Sequence, residues 1–200
     1  MKKTFLFVLG AAALAACAGL QTSSEYLLRG DGYFKDGNPV RALEAYNRAV
    51  ALNPDNLEAY ASRGAVHFFQ GNYDLAEADF KFVLDKNPYQ ADAYTAYGSV
   101  LAAKGNFDEA LEVLNSAIAL KPGKPEIFFS RAGVYFMLGR YAEAVTDYTS
   151  VINLRPAADV YNARGAAYLR LGKNELAEQD FNTAQNAKIP ATLNVYSMID

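Results

Sequence analysis

An all-α solenoid built from helix-turn-helix repeats is the fold this sequence predicts, on three observations. The stretch 57–90 carries Tyr60, Arg63, Gly64, His67, Gly71, Ala76, Asp79, Phe80, Val83 and Pro88; 34 residues on, Tyr94, Gly98, Leu101, Gly105, Ala110, Leu114, Ala117 and Pro122 fall on the same phases. Glycines recur in step at Gly37, Gly71, Gly105, Gly139 and Gly172, where a left-handed residue just past a helix lets the chain reverse. Prolines recur at Pro54, Pro88, Pro122 and Pro156, and proline cannot continue a helix. Units this short cannot bury an apolar face alone, so they must stack and share a core.

Taken in order, the five repeats occupy residues 23–56, 57–90, 91–124, 125–157 and 158–191. The first opens with Thr22 and Glu25 spaced as a capping box, then marks Tyr26, Arg29, Gly30, Tyr33, Ala42, Tyr46 and Ala49. The fourth, with Phe128, Arg131, Ala132, Tyr135, Ala144, Tyr148 and Val151, is one residue short, and the gap falls in the turn after Pro156. The fifth has Tyr161, Arg164, Gly165, Tyr168, Ala177, Phe181 and Ala184, with Ile189 at the proline phase and Pro190 one place late. In each repeat the second-helix alanine (Ala42, Ala76, Ala110, Ala144, Ala177) is expected to face the small residue of the first helix, so that the two helices approach closely. After the last repeat, residues 192–200 carry Leu193, Tyr196 and Ile199 at helical spacing and are expected to form a short capping segment.

Aromatic, small and aromatic residues at these offsets, followed by alanine, aromatic and proline with a 34-residue period, resemble the tetratricopeptide repeat. Tyrosine or phenylalanine stands where that family usually has its first tryptophan. The resemblance implies a right-handed α-solenoid whose first helices line a concave, partner-binding groove.

The N-terminus reads differently. Lys2 and Lys3 precede an apolar run from Phe5 to Ala16, a pattern that describes an export signal and is too short for a lasting membrane span. Leu14-Ala15-Ala16-Cys17 resembles a bacterial lipobox, which implies a signal peptide over 1–16, a lipidated Cys17 and a tether over 17–22. Ala18 stands where an aspartate would imply inner-membrane retention, so the expected location is the outer membrane, facing the periplasm. Acyl chains on Cys17 would then hold the chain to the membrane, each buried methylene contributing about 0.8 kcal/mol.

The chain is 52% hydrophobic and 20% charged, the composition of a folded soluble protein. Its formal net charge of −3 falls to −5 if Lys2 and Lys3 are cleaved off, which argues against nucleic acid as a partner. His67 is the only histidine and Cys17 the only cysteine, and no glycine-rich phosphate loop is present. Nothing here suggests a catalytic residue, a metal site or a cofactor. His67 stands on a phase otherwise held by Tyr33, Tyr135 and Tyr168, so it is expected in the core.

Two sets of side chains remain. Arg63 and Asp79, Arg131 and Asp147, and Arg164 and Asp180 are each sixteen residues apart, and where Tyr97 replaces the arginine, Val113 replaces the aspartate. These read as structural ion pairs. On the first-helix phases that packing does not require, the chain places Phe34, Phe68, Phe69, Thr95, Ser99, Phe129, Phe136, Met137 and Leu169, an apolar lining suited to an extended or helical segment of a partner protein. The lysine, asparagine and arginine clamp of the family's chaperone-binding members is absent, and Glu58, Asp92, Glu126 and Asp159 are expected to make one rim negative. The layout resembles that of small repeat lipoproteins that assist pilus or secretin assembly or dock peptidoglycan enzymes. A homo-oligomer formed through the terminal repeats is the competing expectation.

Overall fold

The computed structural model describes residues 21–186 and 190–192. The expected signal peptide, the lipid on Cys17 and most of the expected C-terminal cap lie outside the described residues. Among those described there are ten α-helices and no strand. They fall into two compact units that meet in sequence between Arg63 and Gly64.

The first unit holds α1 (Ser23–Lys35), α2 (Pro39–Leu52) and the opening of α3 (Leu57–Phe69). The capping box at the start of α1 is formed in both directions. The Glu25 N–H donates to the Thr22 hydroxyl at 3.2 Å, and the Thr22 N–H donates to the Glu25 carboxylate at 2.8 Å. At the other end the Gly37 and Asn38 N–H groups donate to the Phe34 and Tyr33 carbonyls, which satisfies the last turn and reverses the chain. Asn38 then caps α2 by accepting from the Arg41 N–H, with Pro39 in the first turn where its missing N–H costs nothing.

Leu27, Ala42, Ala45, Tyr46 and Ala49 form the buried interior of this unit. Gly30 is where α1 and α2 come closest: a Cβ added there would lie 2.4 Å from the Tyr46 ring. The expectation that the second-helix alanine faces this small residue is therefore corrected. The three atoms nearest an added Cβ all belong to Tyr46, four residues beyond Ala42, and the ring needs the missing side chain's space.

The second unit continues α3 and adds α4 (Tyr73–Lys86), α5 (Ala91–Ala103), α6 (Phe107–Leu120), α7 (Pro125–Met137), α8 (Tyr141–Leu154), α9 (Ala158–Arg170) and α10 (Asn174–Asn186). From α5 onward each first helix packs on its own second helix, and α4, α6 and α8 also pack on the first helix that follows. The same substitution of roles holds here. Added Cβ atoms at Gly98 and Gly165 would lie 2.7 Å from Leu114 and 2.8 Å from Phe181.

Ala110, Leu114 and Ala117 of α6 are fully buried, and removing a leucine of this kind from water contributes about 2 kcal/mol. Around α8 the interior is Ala132, Ala144, Tyr148, Val151, Ala157, Val160 and Ala167, with Phe128, Phe129, Tyr135 and Phe136 packed against it. Gly105 shows the recurrent reversal: its φ of +83° lies in the left-handed region that a side chain disfavours. Past α10, the Pro190 and Ala191 carbonyls accept from the Ala158 and Asp159 N–H groups at 2.9 and 3.1 Å, so the chain returns to cover the start of α9.

Candidate functional site

Side chains at the seams between repeats carry most of the charged chemistry. Arg131 on α7 grips Asp147 on α8 by two parallel hydrogen bonds of 2.8 Å, and Arg164 on α9 grips Asp180 on α10 in the same way. Both aspartates are buried, which raises the weight of each pair, because removal of one partner would strand a charge away from water. Asp147 also helps push the Tyr148 hydroxyl up to about 12, behind the larger effect of burial.

Each arginine also reaches backwards. Arg131 Nη1 donates to Asn115 on α6 at 2.6 Å, and Arg164 Nη1 donates to the Thr149 hydroxyl on α8 at 3.0 Å. In the first unit Arg63 donates to Asn47 on α2 at 2.9 Å. Asp79, the residue sixteen places after Arg63, is buried in the second unit. The guanidinium is thus a staple, one fork in its own repeat and one nitrogen on the second helix before it.

Where the arginine is missing, a different set of groups fills the seam. Tyr97 is buried on α5 and donates to Glu109 at 3.0 Å, while Lys81 of α4 sits 5.6 Å from its ring centre. Lys81 occupies the register of Asn47, Asn115 and Thr149. One turn away, Lys104 at the end of α5 bonds both Asp74 and Glu77 of α4 at 2.7 Å. Hydrogen bonds from Lys104 and then Lys81 hold the Glu77 carboxyl below its ordinary range.

Two of the four acids at the first-helix starts are drawn into pairs. Glu126 is buried and paired with Arg155, and Asp92 is held by Lys124 and by Lys121, while Glu58 is exposed. The pairing bases stand in the segments that close the third and fourth repeats.

The expected partner-binding side chains divide into two groups. Thr95 is 0% exposed and donates its hydroxyl to the Ala91 carbonyl, so it offers no surface and is corrected to a core position. Ser99 is half-buried and bonds the Thr95 carbonyl. Phe68 and Phe136 are half-buried and lean on Tyr73 and Tyr141, at 5.8 and 5.2 Å between ring centres, and Phe129 packs edge-on against Tyr148 at 5.6 Å. These rings are part of the repeat's own packing. Phe69, Met137 and Leu169 differ, being 63%, 70% and 50% exposed. All three lie in the last turns of first helices within the second unit, where α5 and α7 pack directly on one another. Phe34 belongs to the first unit and is half-buried. His67 is half-buried on α3, and its carbonyl accepts the Asn72 N–H in the turn. Among the described residues no three His, Cys, Asp or Glu side chains are placed to hold a metal ion, and no helix is long and apolar enough to cross a membrane.

Family models described as tetratricopeptide repeats match residues 63–125 and 158–188, and one described as TPR repeat matches 30–71 and 134–172. The chain belongs to the tetratricopeptide repeat family. Its fold is similar to the crystal structure of MamA, with a TM-score of 0.67 and 25% identity over 78% of this chain and 91% of that one. It is also similar to a tetratricopeptide repeat protein from Parabacteroides merdae, with a TM-score of 0.72 and 27% identity over 94% of this chain and 73% of that one. The thermophilic repeat protein TTC0263 from Thermus thermophilus matches in fold with a TM-score of 0.73 at 22% identity, over 88% of this chain and 96% of that one. No curated protein sequence matches the chain.

A tetratricopeptide fold is a protein-interaction scaffold, and the described chemistry agrees with that role. Several charged groups join repeats, and Phe69, Met137 and Leu169 are apolar side chains exposed at the surface. Sequence reasoning missed the backward half of each arginine staple. The signal was present, since Asn47 and Asn115 stand sixteen residues before Arg63 and Arg131, as the aspartates stand sixteen after.

Proposed function

We propose that the chain is a lipid-anchored adaptor on the periplasmic face of the outer membrane. It binds an extended or helical segment of another protein on the first-helix face of its second unit, and so helps assemble or localise an envelope complex of the pilus, secretin or peptidoglycan-enzyme kind. The observation that carries this reading is the exposure of Phe69, Met137 and Leu169, large apolar side chains in the last turns of first helices. The lipobox-like Leu14-Ala15-Ala16-Cys17 supports the anchor.

Two variants test the two halves of the reading. Met137→Ser with Leu169→Ser should keep the helix content and melting curve of the parent while losing the proteins that cross-link to it in the envelope; an unchanged set of cross-linked proteins contradicts the binding face. Cys17→Ser should abolish incorporation of labelled fatty acid and release the chain from the membrane fraction. Retention of the label in that variant contradicts the anchor.

A further inference from the structure

The second helices offer the next repeat acceptors, most regularly at one phase and on α4 at two more. On α4 these are Asp74 and Glu77, which take Lys104; at the register one turn further on, Asn47, Asn115 and Thr149 take Arg63, Arg131 and Arg164. The last second helix, α10, carries Glu175, Glu178 and Asn182 on those three phases, and all three are exposed. In sequence Met198 stands sixteen residues after Asn182, where the earlier repeats have an arginine or a tyrosine, and methionine supplies no donor.

The matching face is on the first repeat. Arg29 occupies the phase of Arg63, Arg131 and Arg164, but Ala45 stands where Asp147 and Asp180 hold the later arginines. Among the described residues Arg29 meets no carboxylate within ion-pair reach; it donates to Gln21 at 2.8 Å, also bonds Tyr33, and lies over the Tyr26 ring. Around it α1 and α2 leave a cavity of about 610 Å³ lined by Tyr26, Arg29, Tyr33, Arg41, Glu44 and Arg48 among others. Three arginines against one glutamate make this face basic, and Arg41 and Arg48 replace residues that are neutral or acidic in the other four repeats.

We infer that the α1–α2 face receives α10 of a second copy of this chain, in the register that a second helix uses on the repeat after it. Arg29 donates to Asn182 of the second copy, and the basic cavity faces its Glu175 and Glu178. The hydrogen-bonding register at Arg29 and the net charge supplied by Arg41 and Arg48 point to this occupant, while Asp36 stands on the phase of Lys104. The contact joins two different faces, so it is head-to-tail, in contrast to a dimer that pairs one face with itself.

The test is light scattering on the full chain in mild detergent over a concentration series, with circular dichroism melts to show that each variant is folded. The average mass of the parent should climb with concentration. Arg29→Glu should move the half-association concentration up roughly tenfold or more, and adding Asn182→Arg to the same chain should bring it back. Failure of the paired exchange to restore association overturns the proposal, as does a single-chain mass at every concentration. Association that appears only when residues 193–200 are removed also overturns it, because the chain's own tail is then the occupant of α10.

Discussion

Arg131 and Asp147 meet through two parallel hydrogen bonds of 2.8 Å, and the third nitrogen of the same guanidinium lies 2.6 Å from Asn115 on the helix before. One side chain therefore ties together three helices of two repeats. In a stacked array, where stability accumulates through nearest-neighbour contacts, such a residue acts on the quantity that sets cooperativity between repeats.

Asp147→Ala should accordingly destabilise the chain strongly. It strands a guanidinium that is only 19% exposed, at a cost of about 3 kcal/mol, which is roughly 6–12 °C in melting temperature for a chain of this size. Asp108→Ala removes an exposed carboxylate in the first turn of α6 and should cost under about 1 kcal/mol. Equal shifts for the two variants in thermal denaturation would contradict the staple.

The Glu77 carboxyl gives a pH dependence. Lys104 and then Lys81 hold its folded pKa below the unfolded one, so the pairing stabilises the fold above the unfolded pKa and is lost as pH falls through the folded value. Glu77→Gln should lower the melting temperature at about pH 7 and leave it nearly unchanged at about pH 3. Parallel curves across that range would show that the carboxylate contributes nothing.

Two glycines of similar appearance in the sequence should respond in opposite directions. At Gly30 an added methyl would sit 2.4 Å from the Tyr46 ring, and Gly30→Ala should cost about 1–3 kcal/mol through overpacking. At Gly133, inside α7, nothing lies within 4 Å, and Gly133→Ala should stabilise the helix by about 0.5–1 kcal/mol. Denaturant unfolding of the two variants checks the signs.

The helices were legible in the sequence because Gly37 and its counterparts, the small first-helix residues such as Gly30 and the prolines are each dictated by one local requirement: a left-handed turn, a close approach or a missing N–H. The roles of Phe68, Phe129 and Phe136 were less so. A phase that reads as unneeded by packing still meets the start of its own second helix, where Tyr73 and Tyr141 wait, and that encounter depends on how the reversal at Gly71 or Gly139 directs the chain. Thr95 failed for a related reason: its hydroxyl satisfies itself on the Ala91 carbonyl one turn back, so a polar residue became buriable. Conversely, Glu126 and Asp92 left the expected negative rim because each found a base far along the chain, a pairing that no single-helix pattern encodes.

Binding of another protein at the exposed first-helix ends of the second unit can be read directly. A photo-activatable phenylalanine analogue placed at Met137, and separately at Glu112 on the exposed side of α6, tests it in living cells. The analogue at Met137, and the same analogue placed at Phe69, should give one discrete cross-linked species, and Glu112 none of that mass. Identical cross-links from Met137 and Glu112, or none from Met137 while Glu112 captures a partner, would contradict it.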